Sequence, residues 1–332
     1  ARFRAPRRAR LPRVPSAARP FLIVNPASAN GATGRHFDRI ARAVAHALGD
    51  FRCAFTRRRG EASDLAREAV RDGERLVVAV GGDGTASEVI DGLVEGGRPR
   101  APELVFGCIP RGTGGDLRRT LGWPEDAAEA ARTIAAGTLA VCDLGIVEFV
   151  GHDGRTQRRH FANVSSCGVS GMVVDEVNRT SKRLGGKASF MLASAKALWR
   201  YRDQPVRWRL DGGSWQEESV TALCICNGRY FGGGMMVAPE ASIDDGLFDV
   251  TVWKGLGFKD FVRKKHMLYD GSHVRLPNTR RARARVVEAE PLGGARVLLD
   301  VDGEQPGMLP ARWTIVPRAL TLRAPLAGVG RP

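Results

Sequence analysis

The segment Leu76-Val77-Val78-Ala79-Val80-Gly81-Gly82-Asp83-Gly84-Thr85 combines an apolar run with a glycine-rich turn. Its apolar, β-branched first half predicts a buried strand, and its glycines predict a tight turn into a helix over 86–95. A strand, a glycine turn and a helix N-terminus form an anion site, because free N–H groups and the helix dipole favour phosphate. Asp83 would repel a bare phosphate, so the turn indicates a nucleotide carrying a divalent cation.

Two further strand ends carry similar chemistry. A strand over 104–109 leads into Pro110-Arg111-Gly112-Thr113-Gly114-Gly115-Asp116, again a glycine turn with a threonine and an acid before a helix. The first strand, 21–24, ends in Asn25-Pro26-Ala27-Ser28. Each turn alone is also explained by an ordinary βα or Asn-Pro turn without a ligand. Together they indicate one site, because parallel strands end at one edge of a sheet.

The remaining pattern predicts an α/β part followed by a β part. Residues 20–142 alternate strands and helices, which predicts a parallel-sheet nucleotide-binding domain. Its elements are strands 21–24, 51–56, 76–80 and 104–109 and helices 34–48, 61–71, 86–95 and 125–136. Short strands with Gly and Asp turns predict an antiparallel β-sandwich acceptor domain over 143–312. These strands are 143–150, 158–164, 206–210, 220–227, 247–253 and 296–301.

A helical insert is predicted at 187–201, within the second domain. Its apolar side chains either pack in the core or line an apolar cleft for an acceptor molecule. They are Phe190, Leu192, Ala195, Leu198 and Trp199.

The chain is strongly basic, with a net charge of +15 and a pI near 10.4. Residues 1–19 hold seven arginines and no acid, which predicts a disordered basic tail. Further clusters are Arg57-Arg58-Arg59, Arg263-Lys264-Lys265 and Arg280-Arg281-x-Arg283-x-Arg285. Such charge suits phosphate substrates, an anionic membrane, nucleic acid or simply a solvated surface. Because no nucleic-acid-binding motif is present, we expect a peripheral membrane partner and no specific nucleic acid.

Other features suggest a cytoplasmic location. No apolar stretch approaches the roughly 18–20 residues that span a bilayer, and no apolar segment follows the basic start as in a secretory signal. The six cysteines are scattered, and Cys224-Ile225-Cys226 lacks zinc-site spacing. We therefore expect reduced thiols in a cytoplasmic protein that associates peripherally with membranes.

A series of ordered motifs resembles the catalytic domain of the diacylglycerol kinase family, which includes bacterial soluble lipid kinases, sphingosine kinases and ceramide kinases. The motifs are Asn25-Pro26, Gly81–Thr85, Pro110-x-Gly112-Thr113-x-x-Asp116, Asn227–Met235, Pro239–Asp249 and Asp302-Gly303-Glu304. The resemblance spans about residues 20 to 320. One departure is Gly115, which stands where the family usually has Asn and bears on the geometry of the second turn.

The resemblance implies an NAD kinase- or phosphofructokinase-like nucleotide domain, to which the last strand, about 313–324, returns within a C-terminal segment of about 313–332. It implies an ATP-dependent lipid kinase that phosphorylates a hydroxyl of a lipid such as diacylglycerol. The implied nucleotide-binding residues are Asn25, Thr56, Gly81, Gly82, Asp83, Gly84, Thr85, Gly112 and Thr113. Asp83 and Asp116 would organise the catalytic Mg²⁺, and Glu304 would be the general base.

The resemblance also implies a structural Mg²⁺ held by Asp245 with backbone carbonyls of Ser242 and Leu247, an oxygen-rich set that suits a hard cation. A plain Asp-Gly hairpin also explains this run, and it explains Asp302-Gly303-Glu304 taken alone.

Two other functions stay open at this stage: a soluble small-molecule kinase resembling NAD kinases, and a non-catalytic module binding nucleotide or nucleic acid. The middle motifs, Asn227–Met235 and Pro239–Asp249, favour the lipid kinase. The presence of Asp83, Asp116 and Glu304 together argues against a non-catalytic module. The identity of the lipid and the formation of a homodimer are left open.

Overall fold

One ten-stranded sheet runs through both parts of the chain in the computed structural model, which describes residues 19–179 and 196–325. The helices are α1 Ala32–Arg35, α2 Phe37–Leu48, α3 Glu61–Arg71, α4 Asp83–Leu93, α5 Asp116–Leu121, α6 Ala127–Ala136, α7 Val169–Arg179 and α8 Phe258–Asp270; residues 196–200 are also helical, and Ser272–Arg275 form a 3₁₀ turn.

The strands in the first half of the chain are β1 Pro20–Val24, β2 Arg52–Phe55, β3 Leu76–Gly81, β4 Val94–Glu95, β5 Arg98–Pro99, β6 Val105–Pro110, β7 Leu139–Gly151, β8 Thr156–Phe161 and β9 Val164–Gly168. Those in the second half are β10 Gln204–Leu210, β11 Gln216–Val220, β12 Ala222–Cys226, β13 Phe248–Trp253, β14 Thr279–Ala284, β15 Val286–Pro291, β16 Leu299–Val301 and β17 Gly307–Arg323.

The nucleotide-binding part is a parallel sheet in the order β2-β1-β3-β6. Strand β3 is buried along its whole length, because helices cover both faces of the sheet. Helices α3 and α4 pack on one face, and α2 and α6 pack on the other through Ile40, Val44 and Ile134. The carboxyl ends of β1, β3 and β6 therefore open at one edge.

Strand β17 joins the two parts of the chain. It pairs antiparallel with β7 along most of its length. On its other side it pairs antiparallel with β15 at residues 311–314 and then in parallel with β6 at Thr321 and Leu322. Where the register shifts, Arg318 has a φ of 56° and donates its N–H to the buried Asp143 carboxylate at 2.6 Å. Asp143 also accepts from the N–H of Gly246 at 2.7 Å, and burial raises its pKa to about 6.

The second sheet is antiparallel, in the order β14-β13-β12-β9-β16, and packs against the β10-β15-β17-β7 end of the long sheet. Large fully buried side chains fill the space between them, including Phe161, Phe248, Trp208 and Trp313. The predicted fold class, a parallel α/β sheet followed by an antiparallel β-sandwich, is confirmed. Among the described residues, none of the helices is both long and apolar enough to cross a membrane.

Several predicted element bounds need correction. The helix expected over 34–48 is interrupted at His36, and the one expected over 86–95 begins at Asp83 and ends at Leu93. Helix α6 begins at Ala127, because the Asp126 side chain accepts the N–H groups of Ala128 and Glu129 at 2.9 and 3.0 Å.

Two helices of the second part were not predicted, α7 and α8. The insert predicted at 187–201 falls partly outside the described residues, so Phe190, Leu192 and Ala195 are not placed.

Candidate active site

The two glycine turns touch each other at the carboxyl edge of the parallel sheet. A Cβ on Gly112 would lie 2.6 Å from the Cα of Gly82, closer than side-chain carbons approach backbone atoms. Glycine at both positions therefore allows the contact that brings the turns after β3 and β6 together.

Asp83 links the two turns through its side chain. Its carboxylate accepts the backbone N–H groups of Asp116 and Leu117, both at 3.1 Å, and so caps the start of α5. Gly115, just before that helix, has a φ of 68°. Asn is one of the few other residues that adopt this left-handed conformation, so Gly115 preserves the backbone shape in place of the family's usual Asn.

Asp116 lies between the two parts of the chain. It is 8% exposed, and its carboxylate accepts the N–H of Gly233, in the Asn227–Met235 motif, at 2.8 Å. Arg119 also donates to it, at 3.1 Å. Burial, followed by the negative charge of Asp83, raises the pKa of Asp116 to about 6. The two carboxylates thus face each other with repulsion that a cation would relieve.

The end of β1 supports the first turn. Asn25 donates from Nδ2 to the hydroxyl of Thr85 at 3.0 Å, and Thr56 donates its N–H to the carbonyl of Val24 at 2.9 Å. Asn25, Thr56 and Thr85 line one large cavity with Gly82, Asp83, Gly84, Gly112, Thr113 and Asp116. Every predicted nucleotide-binding residue except Gly81, at the end of β3, lies on that wall.

Asp302 is a site residue whose role the sequence did not reveal. Its carboxylate accepts the N–H groups of Ala162, Asn163 and Val164 at 3.0 to 3.1 Å and the hydroxyl of Ser87 at 3.0 Å. Ser87 belongs to α4, so Asp302 connects the nucleotide-binding part to the sandwich. The Asp302-Gly303-Glu304 turn is thereby fixed in front of the first phosphate turn.

Glu304 lies beside that turn on the cavity wall. A Cβ on Gly84 would lie 4.0 Å from Glu304 Oε1. The Glu304 side chain is 14% exposed and pairs through Oε2 with Arg159 at 2.8 Å and through Oε1 with Arg59 at 3.5 Å. The sequence did not reveal either pair, because both arginines are distant from Glu304 along the chain. Arg159, on β8, lies 145 residues away.

Asp300 adds a further acid to this wall. It is 7% exposed, and it accepts the N–H of Gly303 at 2.8 Å. Burial raises its pKa to about 7, and the nearby charges of Asp302, Asp116 and Glu304 act in the same direction. The residue lines the cavity, although no motif in the sequence pointed to it.

Replacing Asp300 with asparagine should change how stability depends on pH. A raised folded-state pKa means that the carboxyl group costs stability as pH rises from about 4 to about 7. The free energy of unfolding of Asp300→Asn should therefore exceed that of the wild type by about 1–3 kcal/mol at pH 8 and not at pH 4. Urea unfolding at both pH values measures this, and an equal difference at the two would contradict it.

The cavity has a volume of about 1090 Å³ and joins two chemically different ends. One end holds the glycine turns, Asp83, Asp116 and Glu304. The other is lined mainly by apolar side chains of α7, α8 and neighbouring strands, together with Leu198 from the insert. They include Val169, Val173, Val174, Leu198, Phe231, Met235, Trp253, Leu256 and Leu268. Leu198 therefore lines the cleft, whereas Trp199 is 72% exposed.

In the loop predicted to hold a structural metal, the side chains bond to other protein groups. Asp245 accepts the N–H of Leu247 at 3.1 Å and forms an ion pair with Arg283, while the hydroxyl of Ser242 donates to Asp244 at 2.7 Å. The Arg283 guanidinium neutralises Asp245 here, and the structural Mg²⁺ at Ser242, Asp245 and Leu247 stays a prediction. No group of three or more metal-binding side chains occurs within 19–179 and 196–325.

Substituting alanine for Gly112 should push the two turns apart. The added Cβ meets backbone at Gly82, which cannot move aside as a side chain could. We expect a loss of about 1–3 kcal/mol in unfolding free energy, the usual cost of overpacking, and weaker ATP binding. Gly84→Ala is the matched control for stability, because its Cβ has room. Equal thermal stability of Gly112→Ala and wild type would contradict this contact.

Two acid-bearing glycine turns on a parallel sheet, faced by a glutamate from a β-sandwich, define a phosphotransferase site. Residues 19–147 match the family described as "Diacylglycerol kinase catalytic domain", and residues 163–324 match "YegS C-terminal NAD kinase beta sandwich-like domain". The chain belongs to the diacylglycerol kinase catalytic-domain family, as the motifs indicated, and it is a kinase.

Similar proteins cover most of the chain. A "Diacylglycerol kinase" of Bacillus subtilis is 29% identical over 296 residues, 88% of this chain and 91% of that protein. A "Probable lipid kinase YegS-like" of Xanthomonas oryzae is 32% identical over 268 residues, 80% of this chain and 84% of that protein. The crystal structure of a putative diacylglycerol kinase from Bacillus anthracis superposes with a TM-score of 0.70 at 25% identity, covering 92% of this chain and 97% of that one.

Proposed function

We propose that the protein is an ATP-dependent lipid kinase that transfers the terminal phosphoryl group of ATP to a hydroxyl of a lipid such as diacylglycerol. The observation that carries the proposal is the single cavity, whose phosphate-turn end continues into an apolar end. A water-soluble acceptor such as NAD would gain nothing from burying Val173, Phe231 and Leu256, whereas an acyl chain gains about 0.8 kcal/mol per buried CH₂.

The glycine turns bind the donor in this proposal. Free N–H groups at the start of α4 and in the turn at Gly112 and Thr113 hold the phosphates, and Thr85, supported by Asn25, adds a hydroxyl. Asp83 and Asp116 would supply oxygen ligands for Mg²⁺, and the negative charge of Asp83, which raises the pKa of Asp116 despite its pair with Arg119, favours a cation here. Bound Mg²⁺ neutralises phosphate charge during transfer.

Glu304 acts as the general base. Its carboxylate lies beside the first turn and accepts the proton of the acceptor hydroxyl as that oxygen attacks phosphorus. Asp302 holds the turn in place through its four hydrogen bonds. The apolar end orients the acyl chains so that the hydroxyl lies at the acidic end.

A transfer assay tests this function. The wild-type protein is incubated with Mg²⁺, ATP labelled at the terminal phosphate, and diacylglycerol, monoacylglycerol, sphingosine, ceramide or phosphatidylglycerol in turn. We expect label in the organic phase with at least one lipid. Label that enters NAD or glycerol, and none of the lipids, would support the soluble kinase instead.

We further propose that the enzyme works at an anionic membrane surface. Leu268 and Tyr269 of α8 line the apolar end of the cavity, and Arg263 and Lys265 on the same helix are exposed. The arginines of β14 are paired with acids instead; they are Arg280 with Glu218, Arg281 with Glu240 and Arg283 with Asp245. Arg263 and Lys265 are therefore better available to lipid headgroups than these arginines or Lys264, which pairs with Asp260. Residues 1–18 of the basic tail lie outside the described residues.

Reversing the charge of Arg263 and Lys265 should weaken binding to anionic liposomes. Each basic residue near such a surface contributes about 1 kcal/mol, so Arg263→Glu with Lys265→Glu should lower the partition at least about tenfold. Arg42→Glu, on the exposed side of α2, is the control. Co-sedimentation with anionic and neutral liposomes at low and high salt measures the effect. Unchanged partition in the double variant would move the membrane contact to residues 1–19.

A further inference from the structure

Glu304 is held by two arginines that differ in their settings. Arg159 contacts Oε2 at 2.8 Å from β8 and lies outside the cavity wall as the described residues define it. Arg59 contacts Oε1 at 3.5 Å, lines the cavity, and has a side chain that is 66% exposed. The Glu304 oxygen that lies nearer to the phosphate turn is therefore the one paired, at the longer distance, with the more exposed guanidinium.

The loop that carries Arg59 is fixed from two directions. Glu61 accepts the N–H groups of Arg57 and Arg58, the latter at 3.1 Å. Glu88, on α4, accepts the N–H groups of Gly60 and Ala62 at 2.9 and 3.2 Å. Because α4 also begins with the first phosphate turn, this loop is tied directly to the element that binds the nucleotide.

Arg59 thus has a second partner within reach once a nucleotide binds. Glu304 Oε1 would lie 4.0 Å from a Cβ on Gly84, in the first turn of α4, and Arg59 Nε lies 3.5 Å from the same oxygen. A terminal phosphate in that turn carries more charge than a carboxylate and presents oxygens in the geometry that a guanidinium prefers.

We propose that Arg59 couples nucleotide binding to exposure of Glu304, the proposed general base. Without nucleotide it pairs with Glu304 Oε1. When ATP binds, Arg59 moves to the terminal phosphate, and Oε1 becomes free for the acceptor hydroxyl while Arg159 keeps Oε2 in place. The proposal rests on the role proposed above for Glu304. Because Oε1 is free only when ATP is bound, the enzyme can accept a proton from the acceptor hydroxyl only when the donor is present.

The first test measures nucleotide affinity by calorimetry, with Mg²⁺ and either a non-hydrolysable ATP analogue or ADP. Arg59→Ala should weaken binding of the triphosphate about 10- to 100-fold, as expected for a lost charge-assisted hydrogen bond, and change ADP affinity less than about twofold. Arg58→Ala is the matched control, because Arg58 lines the same cavity and is 65% exposed but pairs with Asp64 at 2.7 Å.

The second test is a double-mutant cycle with Glu304→Gln. Loss of the competing carboxylate should tighten triphosphate binding several-fold when Arg59 is present and have a smaller effect in the Arg59→Ala background. The gain should also be absent for ADP. A purely structural role of Arg59 would not produce this coupling.

Three results would overturn this role of Arg59: unchanged triphosphate affinity in Arg59→Ala, equal losses of affinity for triphosphate and ADP, or an equal loss of triphosphate affinity in Arg58→Ala. The role of Glu304 as general base is tested separately, by measuring the turnover of Glu304→Gln at saturating ATP. A Glu304→Gln enzyme with normal turnover but the predicted binding cycle would keep the Arg59–Glu304 coupling and remove Glu304 from the chemistry.

Discussion

Replacing Glu304 with glutamine is expected to slow phosphoryl transfer by about 10²–10⁴-fold, the usual contribution of a general base. Glutamine keeps the size of the side chain and one acceptor oxygen, but it cannot accept the proton of the hydroxyl. The turn that carries Glu304 is held by Asp302 and by backbone bonds between Val301 and Glu304, so the backbone should stay in place. Initial rates at saturating ATP and lipid measure the effect.

The control for this variant is ADP binding, which should stay unchanged because the glycine turns are untouched. Arg159→Ala is a useful companion, since it removes the 2.8 Å contact that orients Glu304 without removing the carboxylate. We expect Arg159→Ala to retain more activity than Glu304→Gln. Turnover of Glu304→Gln close to that of the wild type would exclude Glu304 as the base.

Replacing Asp116 with asparagine is expected to lower activity by about 10²–10³-fold, the scale on which one preorganised electrostatic group acts. Asp116 is buried between both parts of the chain, and its pKa is raised to about 6 in the absence of a cation. In the proposed function this buried carboxylate is a ligand of Mg²⁺, so its negative charge is used in catalysis. Activity measured against Mg²⁺ concentration should show a weaker response in the variant.

The fold should survive the Asp116→Asn change. Asparagine still accepts the N–H of Gly233, and loss of a buried charge offsets the lost pair with Arg119. Asp83→Asn is less suitable as a test of the metal, because both oxygens of Asp83 cap α5 and the amide would break one bond. An Asp116→Asn protein with the wild-type response to Mg²⁺ would remove Asp116 from the metal site.

The local features of the nucleotide-binding part were predictable from the sequence. Strand β3 is a continuous apolar run that ends in glycine, a pattern typical of a buried strand. The structure shows this strand buried along its whole length. The start of α4 was placed three residues too late, because Asp83 and Gly84 read as turn residues. In the structure they form the first turn of the helix, which follows directly on the extended Gly82.

The second part was harder to read, because its helices have sequences that also suit strands or loops. Helix α7 begins Val-Ser-Gly-Met-Val-Val, which is rich in β-branched residues and glycine. Its burial against β16 and β9, with a core that includes Val169, Val173 and Ala222, overrides that preference. Such tertiary contacts cannot be recognised from local periodicity.

The site contacts that the sequence did not reveal are all long-range. The ion pair of Arg159 with Glu304 spans 145 residues, and the hydrogen bond of Ser87 with Asp302 spans 215. Motif order indicated that Glu304 and Asp83 belong to one site, but only the packing of β17 beside β6 shows how the sandwich reaches the phosphate turns.

A crystal structure with Mg²⁺, a non-hydrolysable ATP analogue and diacylglycerol would test the proposed lipid kinase site. We expect phosphates against Gly82–Thr85 and Gly112-Thr113, with the terminal phosphate and the lipid hydroxyl both beside Glu304. We also expect acyl chains along Val173 and Phe231. A nucleotide bound away from the two glycine turns, or a lipid hydroxyl remote from Glu304 in the occupied complex, would contradict the proposed function.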